Sequence, residues 1–109
     1  MPDSTKTGSL RLSRIELAPE VSNDFDRILD HLAQYEVENP ASRIREIVEA
    51  INVLEHNPLI GRPAKDGKRE LVIGRQAHGY LALYRYVAKV DTVFVLAIRS
   101  QREAGFVIE

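Results

Sequence analysis

Cysteine is absent from the 109-residue chain. That excludes disulfides and every thiolate metal centre, and it agrees with a reducing, cytoplasmic setting. No apolar run approaches the length of about 20 residues that a membrane span needs. Residues 1–9 are polar and carry no signal-peptide core, so they read as a flexible arm ahead of one domain over residues 10–109. Internal repeats and low-complexity tracts are also missing. Histidine is scarce, and His31, His56 and His78 lack ligand spacing, so neither a metal site nor a cofactor is expected. His78 falls in a turn from which it could reach a basic edge as an acid or base.

What is present describes a folded domain. Hydrophobic residues make up 44% and charged residues 28%, which places the chain among globular compositions rather than disordered ones. A chain of this size buries about two-thirds of its unfolded surface, enough for a core without staples. The net charge of −1 hides an asymmetry. Residues 1–57 hold 6 Lys/Arg against 11 Asp/Glu, whereas residues 58–109 hold 9 against 5. A basic half beside an acidic half suggests an anionic partner on one face, although charges of both signs also simply solubilise a surface.

Leu10 and Leu12 alternate with Arg11 and Ser13; the phase then slips to Ile15 and Leu17. Alternation predicts a half-buried strand, and the slip predicts a bulge or register change. Pro19-Glu20 opens a helix, with proline at the first position and a carboxylate in the first turn. Val21, Phe25, Ile28, Leu29 and Leu32 form its apolar stripe; Asp24, Asp26 and Asp30 occupy its other faces, and it ends near Tyr35. Asn39-Pro40 repeats the start signal, with Asn39 as cap. Ile44, Ile47, Val48, Ile51 and Leu54 form the second stripe, which Asn57-Pro58 stops. Two helices joined by a short link make an antiparallel hairpin.

Gly61, Pro63 and Gly67 give residues 59–68 the chemistry of turns. Strands follow at Glu70–Ile73, Gly79–Val87 and Val90–Ile98, with links short enough to make neighbours antiparallel. The order predicts an α+β fold: an N-terminal strand, a helical hairpin, and a three-strand antiparallel meander pairing with the first strand, with the helices on one sheet face. In the middle strand Tyr80, Ala82, Tyr84 and Tyr86 share one face, and Leu81, Leu83, Arg85 and Val87 the other. The tyrosines suit either an aromatic platform on the open face or packing against the helices. The helix carboxylates Asp24, Asp26, Asp30, Glu36 and Glu38 suit a solvated face better than a face for a basic partner or a mimic of DNA. Lys65, Lys68 and Arg69 either extend the basic edge or form a solvated loop.

The chain resembles the RelE/ParE toxin superfamily of bacterial type II toxin–antitoxin modules. The residues that carry the resemblance are Leu17-Ala18-Pro19-Glu20, Asp26 with Ile28, Asn57-Pro58-Leu59-Ile60-Gly61-Arg62-Pro63 and Arg69-Glu70-Leu71. Gly79-Tyr80-Leu81-Ala82-Leu83-Tyr84-Arg85-Tyr86 and the terminal Ile98-Arg99-Ser100-Gln101-Arg102-Glu103-Ala104-Gly105-Phe106 complete it. It implies a compact toxin wrapped by a cognate, ParD-like antitoxin in a hetero-oligomer. RelE-like members cut mRNA on the ribosome, and ParE-like members poison DNA gyrase.

RNA cleavage needs a deprotonated 2′-hydroxyl, a stabilised phosphorane and a protonated leaving oxygen. The resemblance places Ser100 where RelE-like nucleases carry an arginine, Phe106 where they carry a tyrosine, and Leu81 where a further arginine stands. Serine cannot neutralise the phosphorane as guanidinium does, and phenylalanine has no proton to give. The branch implied is therefore ParE-like, with no catalytic residue and with DNA gyrase as target; a ribosome-dependent mRNA endonuclease is the alternative. The expected partner-binding residues are Tyr80, Tyr84, Arg85, Arg99, Gln101, Arg102 and Phe106.

Overall fold

A computed structural model describes residues 12–34, 39–74 and 79–101. The elements run β1 (Arg14–Leu17), α1 (Pro19–Gln34), α2 (Pro40–Val53), β2 (Arg62–Pro63), β3 (Arg69–Ile73), β4 (Tyr80–Val87) and β5 (Thr92–Ser100). Short 3₁₀ turns at Lys65–Gly67 and Ala88–Val90 complete the chain order. The five strands form one sheet in the order β1-β5-β4-β3-β2, and both helices pack on one of its faces. The proposed N-terminal arm, Leu10 and the end of α1 at Tyr35 lie outside the described residues, as do Glu36, Glu38 and His78.

The α+β architecture follows the sequence pattern, with three corrections. First, the sheet is mixed: β1 lies parallel to β5, Ile15 opposite Val93 and Leu17 opposite Val95. The fastening is the β4–β5 turn. There Asp91, at φ 49°, accepts the hydroxyls of Ser13 at 2.6 Å and Tyr86 at 2.7 Å on one carboxylate oxygen. Its carbonyl also accepts the Arg14 N–H at 3.0 Å. Second, the phase slip marks where β1 begins. Ser13 lies ahead of the strand and donates its N–H to the Glu55 carbonyl at 2.9 Å, so the chain ties to the end of α2 before it enters the sheet. Third, Arg62-Pro63 pairs with Arg69-Glu70 as a short fifth strand within what reads as turn sequence. Proline is tolerated there because β2 is the sheet edge.

Asn39 precedes α2 in the left-handed region (φ 57°, ψ 57°) and makes no side-chain cap bond. Its role is conformational, since Asn tolerates this region better than most residues. The helix ends before Pro58 by tightening: the N–H groups of Leu54, Glu55 and His56 reach back three residues to Ile51, Asn52 and Val53.

The core joins Val21, Ile28 and Leu32 of α1 and Ile47 and Ile51 of α2 to Tyr84, Val93, Val95 and Ile98 of the sheet. Leu29 and Val48, each at the margin of its predicted stripe, are exposed. Val95 and Ile98 differ in parity yet both point inward. Tyr84 pairs with Val95 and Leu83 with Ala97, so Leu96 is an extra residue, and this bulge reverses the phase of β5.

Candidate partner-binding surface

The sheet face away from the helices is the open one, and no described helix lies on it. Alternation along β4 turns Leu81, Leu83 and Arg85 onto it, opposite buried Tyr80, Ala82 and Tyr84. Register brings Val72 beside Leu81, Arg99 beside Leu81, Ala97 beside Leu83, and Phe94 beside Arg85. The result is an apolar strip bordered by charges of both signs: Arg85 and Arg99, the Arg62–Glu70 pair beside Leu83, and the Arg14–Glu16 pair beside Phe94. Arg85 stands at its β3 side near Gly67, whose added Cβ would come within 3.4 Å of the Arg85 guanidinium. Gln101 ends the strip, its N–H bonded to the Gly79 carbonyl at 2.8 Å.

Tyr80 and Tyr84 correct the platform expectation. Both are buried on the helix side, and Tyr84 is 0% exposed. Their face carries the core, so alternation that groups the tyrosines correctly also commits them to the interior. Tyr84 is instead a latch. Its hydroxyl accepts the Gly61 N–H at 2.8 Å, while Arg69 donates to the Gly61 carbonyl at 2.7 Å and to the Leu59 carbonyl at 3.2 Å. Burial pushes the Tyr84 hydroxyl above its ordinary value of 10.0, and the Gly61 N–H and the Arg69 charge only partly oppose this. A Cβ at Gly61 would sit 2.7 Å from the Tyr84 ring and hydroxyl and 2.8 Å from the Glu70 carbonyl, so only glycine admits this approach. Arg69 is thus neither a solvated loop residue nor an extension of a basic edge.

Arg99 leads to Asp24, which the sequence reading places on another face of α1. Asp24 belongs to the buried side of α1, not to a solvated face. Beyond Val95, strand β1 gives way to α1, and β5 has a free edge there. One Asp24 oxygen accepts the Ile98 N–H at 2.9 Å; the other accepts Arg27 at 2.8 Å and Arg99 at 3.1 Å. Arg27 also donates to the Ile98 carbonyl at 3.2 Å. The Asp24–Arg27 pair therefore satisfies both backbone groups of Ile98, in place of a neighbouring strand. Burial by itself would raise the Asp24 carboxyl, but the Arg27 and Ile98 hydrogen bonds and the charges of Arg99 and Arg27 outweigh it and hold it below its ordinary 3.8. The available signal was spacing: Asp24 stands three residues after Val21 and four before Ile28, on the apolar stripe itself.

Of the expected partner-binding residues, the structure gathers Arg85, Arg99 and Gln101 around the open face and withdraws Tyr80 and Tyr84 into the core. Arg102 and Phe106 lie outside the described residues. Ser100 closes β5 opposite Tyr80. Among the described residues no group of three or more His, Asp or Glu side chains is placed to hold a metal ion. No described helix is long and apolar enough to cross a membrane.

Comparison with known proteins places these features. The chain's fold is similar to that of a chromosomal ParDE toxin–antitoxin structure from P. aeruginosa: TM-score 0.68, 24% identity, covering 82% of this chain and 96% of that one. It is also similar to a chain of the RelBE2 toxin–antitoxin complex of Mycobacterium tuberculosis, with TM-score 0.57, 19% identity and coverage of 84% and 93%. A chain of the archaeal RelE–RelB complex of Pyrococcus horikoshii OT3 gives TM-score 0.55, 13% identity and coverage of 83% and 96%. No curated protein sequence matches significantly. The sequence model described as "ParE toxin of type II toxin-antitoxin system, parDE" matches residues 15–105. With most of the described chain spanned by that match, and with the sheet, hairpin and open face in place, this chain belongs to the ParE toxin family of type II toxin–antitoxin systems.

Proposed function

We propose that this chain arrests growth by binding DNA gyrase and blocking replication, without turning over a substrate, and that a cognate antitoxin neutralises it by covering the open sheet face. The observation that carries this reading is the chemistry of that face. Leu81, Leu83, Val72, Ala97 and Phe94 offer apolar area, and Arg85, Arg99 and Gln101 stand at its border. An apolar centre with charged side chains at the margin suits a protein partner, whose apolar side chains are buried while polar groups pair at the rim. A segment that folds on binding needs such anchors.

A phosphoryl-transfer site would need a guanidinium or an acid at the exit of β5. Ser100, the residue that closes β5, supplies neither. This supports gyrase over the ribosome as target. The test is parallel: the purified chain is added to a gyrase supercoiling assay and to translating ribosomes carrying a reporter mRNA. Loss of supercoiling with intact mRNA is the expected result. Cleaved mRNA with normal supercoiling would establish the endonuclease instead.

A further inference from the structure

We infer that the loop tip formed by Leu59 and Ile60 is an anchor through which the chain seats on DNA gyrase, entering an apolar pocket with an acidic rim. The inference rests on the gyrase reading above and names the surface of this chain that makes the contact.

The tip lies between α2 and β2, and its backbone is closely specified. The Leu59 carbonyl accepts Arg69 at 3.2 Å, and the Ile60 N–H reaches the Asn57 carbonyl at 3.1 Å. Gly61 donates to the buried Tyr84 hydroxyl at 2.8 Å and accepts Arg69 at 2.7 Å. All of these bonds use main-chain atoms of the tip. The side chains of Leu59 and Ile60 take no part in them, and neither residue belongs to the core. They stand side by side, 57% and 55% exposed. A single exposed aliphatic residue needs no explanation. Two in succession, on a loop fixed by a buried hydroxyl and a glycine-only approach, make an apolar contact surface that is ordered before any partner arrives. A cavity of about 490 Å³ opens beside them, bounded by residues 56–60 and Tyr86, so the tip offers a partner both a ridge and a hollow.

Charge selects the kind of pocket. From Arg62 to Glu70 the chain carries Arg62, Lys65, Lys68 and Arg69 against Asp66 and Glu70, and Arg62 pairs with Glu70. Among the described residues Arg69 is bonded only to the two carbonyls of the tip, so its charge has no acidic partner. Glu55, the nearest acid before the tip, lines the cavity beside β1 instead. An aliphatic centre with cations in excess around it matches an apolar pocket rimmed by carboxylates.

Other occupants fit less well. A two-fold contact with a second copy would set this cationic surround against itself. A nucleic acid would meet aliphatic side chains where it needs an aromatic face. An antitoxin on the open face lies across the sheet from Arg69 and Tyr84, which pair in register on the helix side. A standard interface buries about 800 Å² on each partner. Two side chains supply only part of that, so the gyrase contact extends from the tip over β2 to the margin of the open face, and there a bound antitoxin excludes it.

The test uses the full chain with Leu59→Asn and Ile60→Asn together. In urea unfolding the variant should lose less stability than Tyr84→Phe, because every bond of the latch is kept. A loss equal to that or larger shows that the fold needs these side chains, and overturns the inference. In the gyrase supercoiling assay the variant should require about tenfold or more protein for half-inhibition, from the apolar burial lost at two side chains. Its affinity for the antitoxin encoded beside this chain should equal that of wild type. Inhibition equal to wild type overturns the anchor and leaves the gyrase reading intact. Wild type without effect on supercoiling defeats the gyrase reading, and the anchor falls with it. A matching loss of antitoxin affinity would assign the tip to the antitoxin. Self-association or binding to a short DNA duplex, present in wild type and missing in the variant, would assign it to a second copy or to nucleic acid. Each of these three results overturns the inference.

Discussion

Two polar clusters tie the sheet to its surroundings, one at each side, and they are built differently. At the β3 side, Tyr84, Gly61 and Arg69 form a closed set. The hydroxyl takes an N–H, the guanidinium takes two carbonyls, and glycine removes the last side chain in the way. At the β5 side, Asp24 satisfies a strand edge with help from Arg27, but two half-exposed guanidiniums stand around one carboxylate. The closed cluster is consumed in fixing a loop. The second is closed toward the core, where Asp24 holds the strand edge, while its two guanidinium groups reach solvent. A buried polar group acts as structure when all its partners are internal.

The comparison can be broken most sharply at Gly61. Gly61→Ala forces a methyl into the Tyr84 ring and the Glu70 carbonyl, and should cost about 3 kcal/mol. Urea unfolding would register this as a lower midpoint at unchanged slope. Asp24→Ala comes next: it strips the Ile98 N–H of its acceptor and should cost about 2 kcal/mol. The same carboxylate predicts an acid limb. Its folded pKa is depressed, so its contribution is present above the ordinary value of 3.8 and is lost as pH falls through the lower folded value. A pH series of unfolding midpoints should show the limb in wild type and a flatter profile in Asp24→Ala. Tyr84→Phe leaves the Gly61 N–H without its acceptor and should cost about 1.5 kcal/mol. The removed hydroxyl is also the group whose raised pKa keeps it neutral, a contribution present below pH 10.0 and lost as pH rises through the higher folded value. The smallest effect belongs to Arg99→Gln, at under about 1 kcal/mol, since half of that side chain is screened by water. A large stability loss at Arg99, or none at Tyr84, would erase the distinction between the two clusters.

Legibility followed the same division. Helix starts at Pro19 and Pro40, the paired apolar stripes and the β4 alternation are local patterns, and local patterns survive folding. The Leu96 bulge is not local. It lets Val95 and Ile98, three residues apart on one strand, both face the core, and nothing in Val93-Phe94-Val95-Leu96 announces it. Tyr84 shows a subtler failure. Its face was correctly grouped, yet which face meets the helices depends on where the hairpin lands, and the polar tip that suggests a surface found Gly61 instead. Asp24 reads as solvated in the sequence because a carboxylate on a helix usually is. Only the free edge of β5, which exists because β1 is short, gives that carboxylate an N–H to accept.

The sequence by itself determined the hairpin, the strand order along the chain and the likeness to a toxin family, because periodicity, caps and turns are properties of contiguous residues. Tertiary structure alone decided that β1 runs parallel to β5, that two tyrosines are interior, and that Arg99 is steadied by a helix seventy-five residues away in sequence. Those outcomes turn on which unpaired backbone groups and buried charges meet once the chain is compact. No local pattern records the cost of leaving them unmet.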